Sequence, residues 1–181
     1  MTKSQIKFLP NLPLGEYKIL FTAIYPCEST RDHILGWNLY FSKKSQNTTE
    51  IKGNLTFLEA FDDSTKLDIN LWSWSLTGGW KTNSYVYLTE NACNKLKIVF
   101  GKVWFSLKES FKIPTGDCPI PSGIYTTSGF DIKYLQDHNF PKVYYYGKYK
   151  GVLKLKNKKN KLLGCFAMEF NLLRPWEMPK Y

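Results

Sequence analysis

Four cysteines, Cys27, Cys93, Cys118 and Cys165, constrain this 181-residue chain more than any other feature. None lies in a CxxC pair or another close ligand spacing, and only His33 and His138 could add imidazole nitrogens, so the cysteines do not read as a zinc site and no metal is expected. Cys118 stands in "IPTGDCPIPSGIY", Ile113 to Tyr125, among three prolines and two glycines. Such a turn suits neither a packed core nor a nucleophile at a helix N-terminus. It suits a staple from a loop to a distant segment. Four widely separated cysteines in an aromatic-rich chain read as two disulfides, with three connectivities open.

Between the cysteines, apolar residues recur at every second position. "YKILFTAIY" places Tyr17, Ile19, Phe21, Ala23 and Tyr25 on one face. "WNLYFS" from Trp37, "NLTFLEAF" from Asn54, "KLDINLWSWSL" from Lys66 and "NSYVYL" from Asn83 repeat the pattern between polar turns. Near the C-terminus, "KVYYYGKYKGVLKLK" and "KLLGCFAMEFNLL" flank the basic turn Asn157-Lys158-Lys159-Asn160. These spacings predict an antiparallel β-sandwich rather than βαβ units. One segment departs from the period of two: Leu96, Val99, Phe100, Val103, Trp104, Leu107 and Phe111 fall at helical spacing. One short amphipathic helix is therefore expected near residues 94–111. Its stripe fits core packing, and equally a helix laid across the mouth of a cavity.

The chain is long enough for a sizeable core in one domain over residues 1–181. Twelve Phe, twelve Tyr and six Trp supply more apolar surface than a small core needs, and some of it could line a cavity. The formal charge of +10 is almost all lysine, since Arg31 and Arg174 are the only arginines. That balance lacks the bidentate donors that read phosphates and bases, so no nucleic-acid partner is expected. The densest basic stretch, "GKYKGVLKLKNKKNKLLG", reads as a hairpin with a charged outer face, solvated or set against a membrane.

Compartment is read from several weak signals together. No segment approaches the roughly 18 to 20 apolar residues of a membrane span. The start, "MTKSQIKFLPNLPLGEY", lacks a signal peptide's apolar region and cleavage site, which fits a cytosolic protein or a mature chain carrying an added Met1. The even cysteine count and two sequons, at Asn47 and Asn54, favour the second, a secreted glycoprotein.

Catalytic constellations are hard to assemble. HExxH, GxSxG and phosphate-binding glycine motifs are missing. Asp62-Asp63 sits in "FDDSTK", which has turn composition, and His33 and His138 sit in polar segments that read as exposed loops. Paired cysteines would leave no thiol nucleophile, so no enzyme and no cofactor are expected. The segment "LWSWSLTGGW" is unusual: Trp72 and Trp74 share a strand face and Gly78-Gly79 turns to present Trp80. Core or edge packing explains it, as does an aromatic rim where an apolar interior meets water or a bilayer.

From Cys93 to Leu172 the order of motifs resembles the GM2 activator, within the MD-2-related lipid-recognition family, and is similar to the insect chemosensory GM2-activator-like proteins. A cysteine opens a short apolar helix, then come "IPTGDCP", "PSGIY" and a hairpin ending in "KLLGCFAMEFNL", while "GNLT" at Gly53 to Thr56 matches the glycosylated strand. The resemblance implies pairing of Cys27 with Cys165 and Cys93 with Cys118, so that Cys118 staples the Pro-rich loop to the helix start. It also implies a β-cup holding an acyl or alkyl chain. The family's further loop cysteines are missing here, so glycosphingolipid specificity does not carry over.

The resulting expectation is a secreted, non-enzymatic carrier of a lipid or other hydrophobic small molecule, in pheromone or other chemosensory signalling, with a membrane surface or receptor as a further partner. The cup is expected to be lined by Trp72, Trp74, Trp80, Phe57, Phe100, Trp104, Tyr125 and Phe166, chosen by aromatic type and place in the chain. The competing reading is an immunoglobulin-like module with a solid core, binding anionic glycans or membranes through its basic face. A lipid-acting hydrolase dependent on His33 or His138 is the third.

Overall fold

A computed structural model describes residues 12–27, 33–114 and 116–178; residues 1–11, and Arg31 with them, lie outside the described residues. The described residues form ten strands: β1 (Leu14–Glu16), β2 (Lys18–Pro26), β3 (Leu35–Ser45), β4 (Thr48–Phe57), β5 (Lys66–Ser75), β6 (Gly79–Thr89), β7 (Gly123–Asp131), β8 (Val143–Tyr145), β9 (Gly147–Lys156) and β10 (Leu162–Leu173). They make an antiparallel five-stranded sheet in the order β2-β10-β9-β5-β6, a three-stranded sheet β3-β4-β7, and a small pair β1-β8.

Alternation decides what each strand buries. In β5, Leu67 and Ile69 join the core between the sheets while Asp68, Asn70, Trp72 and Trp74 take the other face. The neighbouring β9 does the same, with Leu153 and Leu155 inside and Lys148, Lys150, Lys154 and Lys156 outside. Outside, Lys156 pairs with the Asp68 carboxylate at 3.1 Å. The expected turn closes β9 onto β10: the Asn157 side-chain oxygen accepts the N–H groups of Lys159 and Lys161, each at 2.9 Å.

The expectation that one face of β2 carries Tyr17 through Tyr25 is corrected beyond Phe21. Phe170 of β10 pairs with Phe21 and Glu169 with Ala23, so Thr22 is an extra residue in the ladder. A bulge of one residue reverses the alternation after it. Ile24 takes the inner place, and Tyr25 packs outside with Cys27, Trp72 and Val152.

The helical segment is likewise divided. It forms α1 (Ala92–Phe100) and α2 (Lys102–Ser110), separated by Gly101 at φ 56° and ψ −125°, a conformation only glycine adopts readily. The N-terminus of α1 is held from outside: the Asp63 carboxylate accepts the Asn94 N–H at 3.0 Å, placing an anion on the positive end of the helix. Both implied disulfides are present, Cys27–Cys165 tying the end of β2 to β10 and Cys93–Cys118 tying α1 to the Pro-rich loop.

Candidate functional site

An apolar cleft of about 60 Å³ lies between the inner face of β3 and β4 and the helix pair. The sheet contributes Trp37, Leu39, Leu55 and Phe57, and the helices contribute Phe100, Trp104, Leu107 and Lys108. Phe111, Ile113, Ile120 and Phe61 complete it. Within the helical stripe, Leu96 and Val103 are fully buried, while Phe100, Trp104 and Leu107 face the cleft.

The Pro-rich loop forms one wall because it is tied at two points. Cys118 is bonded to Cys93, and Ile120 exchanges both backbone hydrogen bonds with Phe61 at 2.8 Å. Tyr125 donates its hydroxyl to the Pro121 carbonyl at 2.6 Å, and burial pushes its pKa up. At the rim, Lys97 bonds the Asp117 carboxylate and holds its pKa below the usual value.

Of the eight residues expected to line a cup, Phe57, Phe100 and Trp104 line this cleft. Tyr125 and Phe166 stand one layer behind: Tyr125 meets Phe57 at 6.1 Å between ring centroids, and Phe166 meets Trp37 at 4.9 Å. Trp72, Trp74 and Trp80 lie elsewhere, on the outer face of the five-stranded sheet. There Lys150 sits over Trp72 and Trp80 at 4.3 and 4.9 Å, and Lys148 over Trp74 and Trp80 at 5.0 and 5.3 Å. Trp72 and Trp74 do share a face. Alternation gives that much, but the inward face belongs to Leu67, Ile69 and Leu71.

Sequence reasoning missed Trp37, Leu39, Leu55, Phe61 and Lys108. Leu55 was accessible as the alternate neighbour of Phe57. Phe61 was not, because it enters from an irregular segment through an isolated bridge to Ile120. His138, expected to be an exposed loop histidine, is half-buried, stacked on Phe140 at 4.4 Å, and its pKa is lowered first by burial and then by Lys142, against the pull of Asp137. Asn47 is exposed at the tip of the β3-β4 hairpin. The Asn54 side-chain oxygen accepts from Asn38 and Thr56, each at 3.1 Å.

Among the described residues no cluster of metal-ligating side chains occurs, and no helix is long and apolar enough to cross a membrane. No curated protein matches the chain. A family model described as the ML domain, a lipid-recognition fold, matches residues 22–172.

Proposed function

The chain belongs to the MD-2-related lipid-recognition (ML) family, and from that premise we propose that it is a secreted carrier holding the acyl or alkyl part of a lipid in the cleft beneath α2. The observation that carries this reading is the cleft wall itself, built from indole, phenyl, leucine and isoleucine side chains of the sheet, the helices and the loops beside them. Each buried methylene is worth about 0.8 kcal/mol, so a sixteen-carbon tail offers roughly 12 kcal/mol before ordering and association costs. Binding pockets that enclose such ligands measure roughly 300 to 1,000 Å³, so in this reading uptake widens the cleft, with α2 moving about Gly101. Phe57, Phe100 and Trp104 touch the chain in this reading, with Tyr125 and Phe166 supporting them. No catalysis is proposed. Glycans at Asn47 and Asn54 and a place in pheromone or other chemosensory signalling go with the secreted carrier.

Mass spectrometry of an organic extract, beside native mass spectrometry of the intact protein, tests the reading. A co-purifying lipid at near one-to-one ratio is expected. A protein that carries none and also rejects added fatty acids and sterols would sink it.

A second reading is favoured by the outer face of the five-stranded sheet, where Lys148 and Lys150 interleave with three tryptophans. Such a face would adhere to anionic glycans or membranes. Adhesion of that kind weakens steeply as salt shortens the Debye length, whereas a chain held in a dry cleft is retained.

A further inference from the structure

We infer that Lys108 selects a ligand with a carboxylate head, so that the cleft takes a free fatty acid in preference to its ester; this rests on the carrier reading above. Lys108 is the one charged residue among those lining an otherwise apolar cleft. It stands four residues after Trp104 and three before Phe111, which puts it on the helix face that meets the cleft. Its stem is half-buried. Its Nζ reaches the rim loop, 3.0 Å from where a Cβ on Gly116 would stand, beside the Trp104 indole, whose N–H points to the Gly116 carbonyl at 3.4 Å.

Among the described residues none of the ion pairs includes Lys108. The acid on the rim loop, Asp117, is bonded to Lys97, and Lys108 exerts only the weakest of the attractions on it. A cation at the mouth of an apolar cleft interacts more strongly with an anion than it would in open water, because the wall on one side has a low dielectric. A carboxylate accepts a charge-assisted hydrogen bond from it while its tail passes inward between Phe100 and Leu107. An ester offers a neutral acceptor and an alkane offers none. Lys108 thus supplies the small number of placed polar groups that an apolar site needs to fix one end of its ligand.

The test is competition of hexadecanoate and methyl hexadecanoate for a neutral fluorescent dye bound to the full chain near neutral pH. The acid is expected to compete about tenfold better than the ester. K108Q should bring the acid to the ester's level, and K108R should keep the preference. Wild-type protein with no preference, or K108Q that retains it, would overturn the inference and leave Lys108 as a stem that merely covers the cleft. If K108Q fails to fold by circular dichroism, the wild-type preference is read against pH instead. It must vanish as the carboxylate protonates below roughly pH 5, and persistence there overturns the inference. Binding of dye and ester without acid preference removes the inference alone, whereas failure of dye, ester and acid to bind removes the carrier reading with it.

Discussion

Phe140 donates its backbone N–H to Nδ1 of His138 at 3.0 Å, and the two rings stack. An imidazole that accepts at Nδ1 must be neutral there. The same turn closes the end of α1: Asn139 donates its backbone N–H to the Val99 carbonyl and its side-chain amide to the Ile98 carbonyl, both at 3.1 Å, while Phe140 meets Phe100 edge to face at 6.4 Å between centroids. His138 therefore sits behind a cleft-lining ring. Its folded pKa is lowered, chiefly by burial, so the unfolded chain binds the proton more tightly. The stabilisation is present above the ordinary histidine pKa of about 6.5 and is lost as pH falls toward the folded value. Thermal melts of wild type and H138Q from pH 7.5 to 5 should show a fall for the wild type that the variant lacks; parallel curves would refute the assignment.

Removing Cys93–Cys118 should loosen the cleft wall as well as the fold. The bridge closes a sequence separation of 25 residues, against 138 for Cys27–Cys165. Loop-entropy reasoning gives about 3.5 kcal/mol for the shorter bridge and about 5 kcal/mol for the longer. At roughly 2 to 4 °C per kcal/mol for a chain of this size, the C93A/C118A protein should melt about 10 °C lower. Because Ile113 and Ile120 are cleft residues, ligand affinity should fall as well. A melting loss with unchanged affinity would place the loop outside the binding surface.

Gly164 faces Leu35 across the sandwich, and a Cβ on it would stand 2.3 Å from the Leu35 carbonyl oxygen. G164A must push β10 from β3 and should cost on the order of 1 to 3 kcal/mol. Chemical denaturation measures this, and a variant as stable as the wild type would mean the sheets can separate locally without loss.

The strands and the helical segment were legible because periodicity is a local property: burial of one face imposes a period of 2 or 3.6 on neighbouring residues. The points where the reading slipped are those where one residue changes the phase. Thr22 adds a bulge, and the outer placement of Trp72 depends on which alternate set, Leu67-Ile69-Leu71 or Trp72-Trp74, meets the opposite sheet. Aromatic bulk argued for the tryptophans. Continuity of the branched aliphatic set decided the face, and stacking under Lys148 and Lys150 covers the indoles that remain outside. The cleft was half legible for the same reason. Its helical wall follows from the stripe, but Trp37, Leu39 and Phe61 reach it through sheet pairing and loop bridging that no local pattern encodes.

Phe100 and Trp74 separate the two surfaces experimentally. Phe100 lines the cleft and is half-buried, so F100A removes contact with a bound chain while leaving the fully buried Leu96 and Val103 to hold the helices. Loss of roughly 2 kcal/mol of apolar contact corresponds to an affinity drop of more than tenfold. Trp74 is 44% exposed on the outer face and touches Trp80 and Lys148. W74A should leave chain binding within twofold of wild type and should reduce salt-sensitive retention on anionic vesicles, since it removes one of the two rings on which Lys148 rests. Isothermal titration with a fatty acid and vesicle sedimentation at two salt concentrations give both readouts on the same pair of variants. If W74A weakened fatty-acid binding as much as F100A, the ligand would have to reach the outer face, and the cleft beneath α2 would not be its site.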